Sequence, residues 1–501
     1  MESMMSWWWY LAEILIILSI ELVKYLWTSS KDKKCSLEDQ FPGPKAYPLI
    51  GNLLTLIAKD ADAFENIVTC VSNYSSPMRF LLGSKVCIIF RDPRQIEKIF
   101  TSNALSSKDD LCDHLKDFLG EALLSGSGTK WKKDRRLLSP FFLKRNTAQY
   151  FPVVLRHTKI LTKLLEQKAD GVAFNIKPII HKAAVDFVNE TILGKTTNAQ
   201  AEESRDFVEK AGNVLAIIHQ RMIKLYLLPK FFLNLTKSCA DYTDTKEILH
   251  AFFSKALKEA KERHSHLGKN GSIRSILEQM LDIRDEVPDF ATDEELVHHV
   301  LTLFLASEDT VTQVSSFALM MLGMHPDCQK KVAEEIVGVV GLENDVTGEH
   351  LPKLEQLERV IKETLRLFPV APFILRKAGL DIDLAGFKIP EGTFISVAVY
   401  NIHRDQNHWE HPNEFYPEHF SPQAVKNRNA YAYLPFSAGV RSCLGKAYAY
   451  VAIKILLVSI LQKYIVSTEN MRFQDMLITA DLSVRLKSGN YAIRLKRRLV
   501  D

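Results

Sequence analysis

One short stretch near the C-terminal end constrains this chain more than any other: Phe436-Ser-Ala-Gly439-Val-Arg441-Ser-Cys443-Leu-Gly445. A single thiol is enclosed by two glycines, an arginine and an aromatic ring. An apolar-periodic segment, Lys446 to Tyr464, follows at once and reads as a helix. A thiolate at a helix N-terminus is favoured by the unpaired N–H groups and the positive end of the dipole. Gly439 and Gly445 let the backbone turn tightly and come close to a flat ligand. Arg441 supplies a fixed cation for a carboxylate, and Phe436 an apolar shield for the sulfur. Together these meet the demands of an axial thiolate on haem iron. The competing reading is a buried structural cysteine beside a glycine turn.

The chain has 501 residues, 47% hydrophobic and 25% charged, as in a globular protein. Its length, at about 150 residues per domain, would allow several domains. No Pro/Gly/Ser-rich linker, repeat or low-complexity tract divides it, so a single catalytic domain over residues 53–501 is expected. A net charge of +4 is too small to imply nucleic acid as a partner. The seven cysteines form no close pairs, which argues against a disulfide framework or a zinc site and for a reducing compartment.

The N-terminus differs. Trp7 to Trp27 is mostly apolar with aromatic residues at both ends, and Lys31, Lys33 and Lys34 follow. This pattern predicts a membrane anchor over residues 1–30, with the body of the protein on the cytosolic side. Residues 31–52 read as a basic, proline-rich hinge, whose Phe41-Pro-Gly-Pro-Lys-Ala-Tyr-Pro48 cannot enter a helix and holds the chain stiff.

Further along, Arg79 to Phe90 reads as a hairpin, and Asp92-Pro93 as the start of a helix. Residues from about Tyr150 to His264 are helical in pattern. Phe387 to Val399, around Pro390-Glu391-Gly392, reads as a second small sheet, and Val484 to Leu495, around Ser488-Gly489-Asn490, as a closing hairpin. A long helix is predicted from Asp293 to Met324, with a capping box of Thr292 and Glu295 and a stop at His325-Pro326. Its apolar middle is broken by Ser307-Glu308-Asp309-Thr310. Buried polar groups cost roughly 1–3 kcal/mol each unless satisfied, so this run points to a purpose. The bland alternative is a solvated acidic stripe.

The cysteine stretch matches F-x-x-G-x-R-x-C-x-G at every fixed position, and the chain is identified on it as resembling the cytochrome P450 superfamily of haem-thiolate monooxygenases. The resemblance implies a mainly α, helix-rich triangular fold with small β-sheets, preceded by the anchor. It also implies haem b, iron protoporphyrin IX, held through Cys443. Ala306-Ser307-Glu308-Asp309-Thr310 falls on the oxygen-activation motif. There Thr310 would organise water near the reacting oxygen and Asp309 would be the acid end of a proton relay, with Ser307 replacing the usual glycine. Glu363-Thr-Leu-Arg366 resembles the E-x-x-R helix that locks the cysteine region. Its usual arginine partner is replaced by His419 in Pro417-Glu418-His419-Phe420, and His419 can still donate to Glu363. Trp131-Lys-Lys-Asp-Arg135 resembles the W-x-x-x-R helix facing the haem propionates, and Arg441 and Arg376 would complete that cationic cradle.

Asn401-Ile-His-Arg404-Asp405 with Trp409, and Ser316 to Pro326, most resemble the fourth family and its arthropod relatives. The glutamate that can esterify haem there falls on Ala306, so only Cys443 and non-covalent contacts would hold the haem. Leu301, Leu305, Ala306, Phe373 and Ile374 would wall the substrate pocket; all are apolar, which favours a lipophilic small-molecule substrate. Lys130, Lys132, Lys133, Arg136 and Lys446 would steer an acidic electron donor, an NADPH–cytochrome P450 reductase with cytochrome b5 as a second candidate, at the endoplasmic reticulum membrane. Two alternatives stay open: a haem-thiolate isomerase or dehydratase needing no reductase, and a non-catalytic haem-binding sensor. The Asp309–Thr310 pair argues against both.

Overall fold

The computed structural model describes residues 17–21, 37, 40–47, 50–56, 62–83, 85–107, 113–223, 237–267, 274–468 and 471–498. Helices dominate and the strands form small sheets. Most of the expected anchor lies outside the described residues. Among the described residues, no helix is long and apolar enough to cross a membrane.

The chain gathers into two compact units. One comprises Met1–Asp109, Phe373–His408 and Asn429–Leu434; the other Asp110–Pro372, Trp409–Arg428 and Pro435–Asp501.

The first unit is organised by a four-stranded sheet. The hairpin of Met78–Leu82 and Lys85–Phe90 forms as expected, and its second strand pairs in parallel with Phe394–Val397. That strand pairs antiparallel with Ile374–Lys377. Flanked on both sides, Phe394–Val397 is buried at every position, Ser396 included. Helix Pro93–Thr101 begins where Asp92 accepts from the Arg94 N–H, with Pro93 in the first turn. The proline-rich stretch is tied down on the sheet: the Leu81 N–H donates to the Asn52 side chain at 2.8 Å, and Asn52 Nδ2 donates to the carbonyls of Pro44 and Lys45. Gly51 has a φ of +61°, and a Cβ there would stand 2.5 Å from the Leu81 carbonyl. Only glycine fits.

Two expected pairings are corrected. The strands either side of Pro390-Glu391-Gly392 are not partners: Phe387–Ile389 pairs with Ile382–Leu384, while Phe394–Val397 enters the larger sheet. Likewise, Val484–Leu486 pairs with Ile478–Ala480, and Ala492–Arg497 pairs with Tyr464–Ser467 and Phe174–Asn175. A turn signal reports that the chain reverses; burial then decides which strand each arm joins.

The second unit is built around the predicted central helix, which runs from Asp293 to Met324. Both halves of its capping box are made, Thr292 N–H to Glu295 at 2.8 Å and Glu295 N–H to Thr292 at 3.2 Å. Helices Lys177–Leu193, Lys446–Lys463 and Glu355–Leu367 and strand Tyr464–Ser467 pack around it. Most of its side chains are therefore buried. Each fully buried Leu or Phe contributes roughly 1.5–3 kcal/mol, which accounts for so long a helix in the middle of the unit.

Candidate active site

The loop before helix Lys446–Lys463 is closed by a hydrogen bond from the Cys443 N–H to the Phe436 carbonyl at 2.8 Å. Gly439, at φ +68°, opens a short 3-10 turn through Arg441, and Gly445 caps the helix that follows. Cys443 is solvent-accessible but lies in a dense surround of protein that partly desolvates the thiol. This desolvation raises the thiol pKa. The N–H of Gly445, Arg135, Lys446 and the Lys446 N–H all pull the other way. A bound metal cation would join that second group of effects.

Trp131 and Arg135 lie one turn apart on helix Gly128–Leu138, as their spacing predicts. The Trp131 indole donates to the Leu123 carbonyl at 3.0 Å, which fixes its ring. The Arg441 guanidinium lies 3.3 Å from that ring's centroid and donates to the Gly126 carbonyl at 2.8 Å. Arg135 donates to the Ser442 carbonyl at 2.7 Å. Two guanidinium groups are thus anchored to the backbone, Arg135 near the thiol and Arg441 over the Trp131 ring.

This donor set fits a haem: one thiolate, N–H groups aimed at it, and fixed cations for the propionates. Space agrees with chemistry. A Cβ built on Gly445 meets nothing within 4 Å, and Ala306 is exposed between the buried Leu305 and Glu308. The Phe436 ring packs on Tyr450, with centroids 5.5 Å apart.

On the central helix, the Thr310 hydroxyl donates to the Ala306 carbonyl at 2.9 Å and also lies 3.3 Å from the Ser307 carbonyl. Gln313 donates to Asp309 Oδ1 at 3.4 Å. Asp309 Oδ2 is buried and receives no protein hydrogen bond. Glu308 is wholly buried, its Oε2 2.9 Å from His181 Nδ1. Leu301 and Leu305 are buried on the same helix. Phe373, Ile374 and Arg376 belong to the first unit. Phe373 packs against the core that includes Met78, Phe80 and Phe394, Ile374 is buried in its strand, and Arg376 is buried with its guanidinium over the Phe100 ring.

Glu363 and Arg366 are fully buried and paired. His419 occupies the place read for it, its Nδ1 3.2 and 3.3 Å from the two Glu363 oxygens. The Tyr416 N–H adds a bond at 2.7 Å. Burial opposes ionisation of Glu363, but Arg366 and His419 outweigh it and hold its pKa below the ordinary value. Of the basic residues flanking the thiol, Lys132, Arg136 and Lys446 are exposed, whereas Lys130 is committed to Glu295 at 3.1 Å and Lys133 to the Asp289 carbonyl at 3.0 Å.

Sequence reasoning missed His181, Gln313 and Tyr491. The Tyr491 hydroxyl donates to Gln313 Oε1 at 2.7 Å, so a residue far along the chain orients the amide that holds Asp309. Gln313 stands four residues after Asp309 on the same helix, a spacing that could have found it, whereas no local signal marks His181 or Tyr491. The polar run at 307–310 signals only that partners are needed.

The cytochrome P450 family profile matches residues 41–494. The chain is 30% identical to cytochrome P450 4V2 of Homo sapiens over 91% of this chain and 89% of that protein. It is 29% identical to cytochrome P450 4c21 of Blattella germanica (92% of this chain, 95% of that one). With cytochrome P450 4c3 of Drosophila melanogaster the identity is 26%, over 95% and 93%.

Proposed function

The chain belongs to the cytochrome P450 family of haem-thiolate monooxygenases, and from that we propose that it inserts one oxygen atom from O2 into a lipophilic small molecule, using electrons from an NADPH-dependent reductase. The closed Cys443 loop, with the anchored guanidinium groups of Arg135 and Arg441, carries this reading. Haem b held there through the Cys443 thiolate would supply oxygen activation. Arg441 and Arg135 would pair with its propionates, and Trp131 would hold Arg441 flat and ready.

The geometry of the central helix supports the roles proposed for its residues. Thr310 sits one turn beyond the exposed Ala306, and its hydroxyl is turned back on that turn's carbonyls. From there it positions a water and passes a proton. Asp309 is its acid neighbour, with one oxygen held by Gln313 and the other buried without a protein donor, as suits a group that exchanges a proton through water. The apolar Leu301 and Leu305 support the lipophilic class of substrate, with Ala306, Phe373 and Ile374 as further wall residues by family pattern.

The exposed Lys132, Arg136 and Lys446 suit an acidic redox partner. The reductase, with cytochrome b5 as an auxiliary donor, is therefore the proposed partner. Residues 1–30 are proposed as the anchor and 31–52 as the hinge to a catalytic region over 53–501, at the endoplasmic reticulum membrane with that region in the cytosol.

The test is the carbon monoxide difference spectrum of the reduced protein beside Cys443→Ala, followed by NADPH oxidation with added reductase. A red-shifted Soret band that the substitution removes, together with reductase-dependent NADPH oxidation, is expected. A histidine-like band would overturn the ligand assignment. A normal band without electron uptake would favour an isomerase or a sensor.

A further inference from the structure

A cavity of about 540 Å³ opens beside the central helix, and Lys177, His181, Glu308, Asp309 and Thr312 are among the residues that line it. Its position on the helix matters. At 100° per residue, Ala306 and Thr310 share one stripe, Glu308 and Thr312 lie on a stripe roughly opposite, and Asp309 falls between the two. One carboxylate is thus placed to communicate with both faces of the same helix.

The groups at the back of the helix are buried and ordered. The His181 ring nitrogen Nε2 lies 3.2 Å from the Val208 carbonyl, which can only accept, so Nε2 carries a hydrogen. Nδ1 then faces Glu308 Oε2 at 2.9 Å. The two atoms are close enough to exchange a proton. Imidazolium with carboxylate, or imidazole with carboxylic acid, gives the same neutral total, and either contains one mobile proton. Burial, with the neighbouring Asp309 charge, drives the Glu308 pKa up against the pull of His181 and Lys177. For His181, burial opposes the charged form, but the Glu308 carboxylate and the Val208 carbonyl overcome it and leave the pKa raised. Both directions favour keeping that proton in the pair.

Asp309 is the nearest acid with an unmet need. Its Oδ2 is buried without a protein donor, and such atoms in folded proteins are satisfied by water where space and further polar partners allow. The cavity beside it offers both.

We infer that His181 and Glu308 act behind the active site as a proton-supplying and positioning pair for Asp309, through water in this cavity. The proton leaves the His181–Glu308 pair, passes along water to Asp309 Oδ2, and is replaced on the pair from solvent; no electron moves. The Lys177 ammonium stands near by, 5.4 Å above the Tyr491 ring, and its charge favours the ionised form of Glu308.

This inference rests on the proposed roles of Asp309 and Thr310, so the experiment separates the two. Haem-loaded wild type, Glu308→Gln, His181→Gln and Thr310→Ala are compared, each retaining its reduced carbon monoxide band as the sign of an intact site. With NADPH and cytochrome P450 reductase, peroxide released per NADPH oxidised is read in H2O and in D2O. Nitrogen NMR of the His181 ring at neutral pH, assigned with His181→Gln, reads the shared proton independently of turnover. The expected result is a charged-type Nδ1 signal that Glu308→Gln shifts towards neutral imidazole. Both cavity variants should also raise the peroxide yield about threefold or more and enlarge the solvent isotope effect. A rise for Thr310→Ala alone would overturn the role of the pair and leave the monooxygenase reading standing. No rise for any variant would overturn the Asp309–Thr310 relay and the pair together. An Nδ1 signal indifferent to Glu308→Gln would overturn the shared proton.

Discussion

Glu363 receives both arms of the Arg366 guanidinium, at 2.8 and 2.7 Å, with neither side chain reaching solvent. Arg366 also donates to the carbonyls of Pro412 and Glu414, both at 2.7 Å. It therefore ties helix Glu355–Leu367 to the irregular segment that follows Trp409. Arg366→Ala would leave a buried carboxylate and several carbonyls unanswered, and is expected to cost about 3–5 kcal/mol. Denaturant unfolding monitored by the haem band checks this; a loss under about 1 kcal/mol would show that the pair is dispensable.

His419 makes the weaker contribution. Its contacts with Glu363, at 3.2 and 3.3 Å, are longer than those of Arg366, and the Tyr416 N–H already serves the same carboxylate. His419→Ala is expected to lower stability by about 1 kcal/mol with haem binding retained. The same unfolding experiment, run in parallel, ranks the two partners.

Acid sensitivity should have a recognisable source in Glu358. Burial opposes its ionisation, but Lys362 at 2.7 Å and Lys454 at 2.8 Å prevail and bring its pKa from 4.5 to about 2. A carboxyl with a depressed folded pKa contributes stability above its unfolded value and loses it as pH falls through the folded one. Glu358→Gln should therefore be less stable than wild type at neutral pH, and the gap should close between pH 4.5 and about 2. A gap independent of pH would mean that shape, not charge, is what the substitution removes.

Arg441 depends on Trp131 for its orientation. The 3.3 Å approach to the ring is a cation–π contact of about 0.5–2 kcal/mol. Trp131→Phe should keep much of it, whereas Trp131→Ala should release the guanidinium and lower haem retention on dilution severalfold. Equal retention in the two variants would remove Trp131 from the cradle.

Much of the site was legible because its chemistry is local. The Cys443 loop, its two glycines and the helix after it lie within one short stretch, and helical spacing alone places Trp131 with Arg135 and Glu363 with Arg366. The central helix was readable to the residue, since a capping box and a His-Pro stop are written at its ends. The strand partners were not, because Pro390-Glu391-Gly392 and Ser488-Gly489-Asn490 encode a reversal of direction and leave open which edge each arm will meet.

By itself, then, the sequence determined the Cys443 loop, the long helix and the polar interruption at its centre. Capping, periodicity and thiolate electrostatics act over a few residues. The tertiary structure alone decided what answers that interruption. His181 meets Glu308, and Tyr491 orients the Gln313 amide that holds Asp309, each across more than a hundred residues of chain. Burial forces each polar group to find a partner, but only the packed fold brings one within reach.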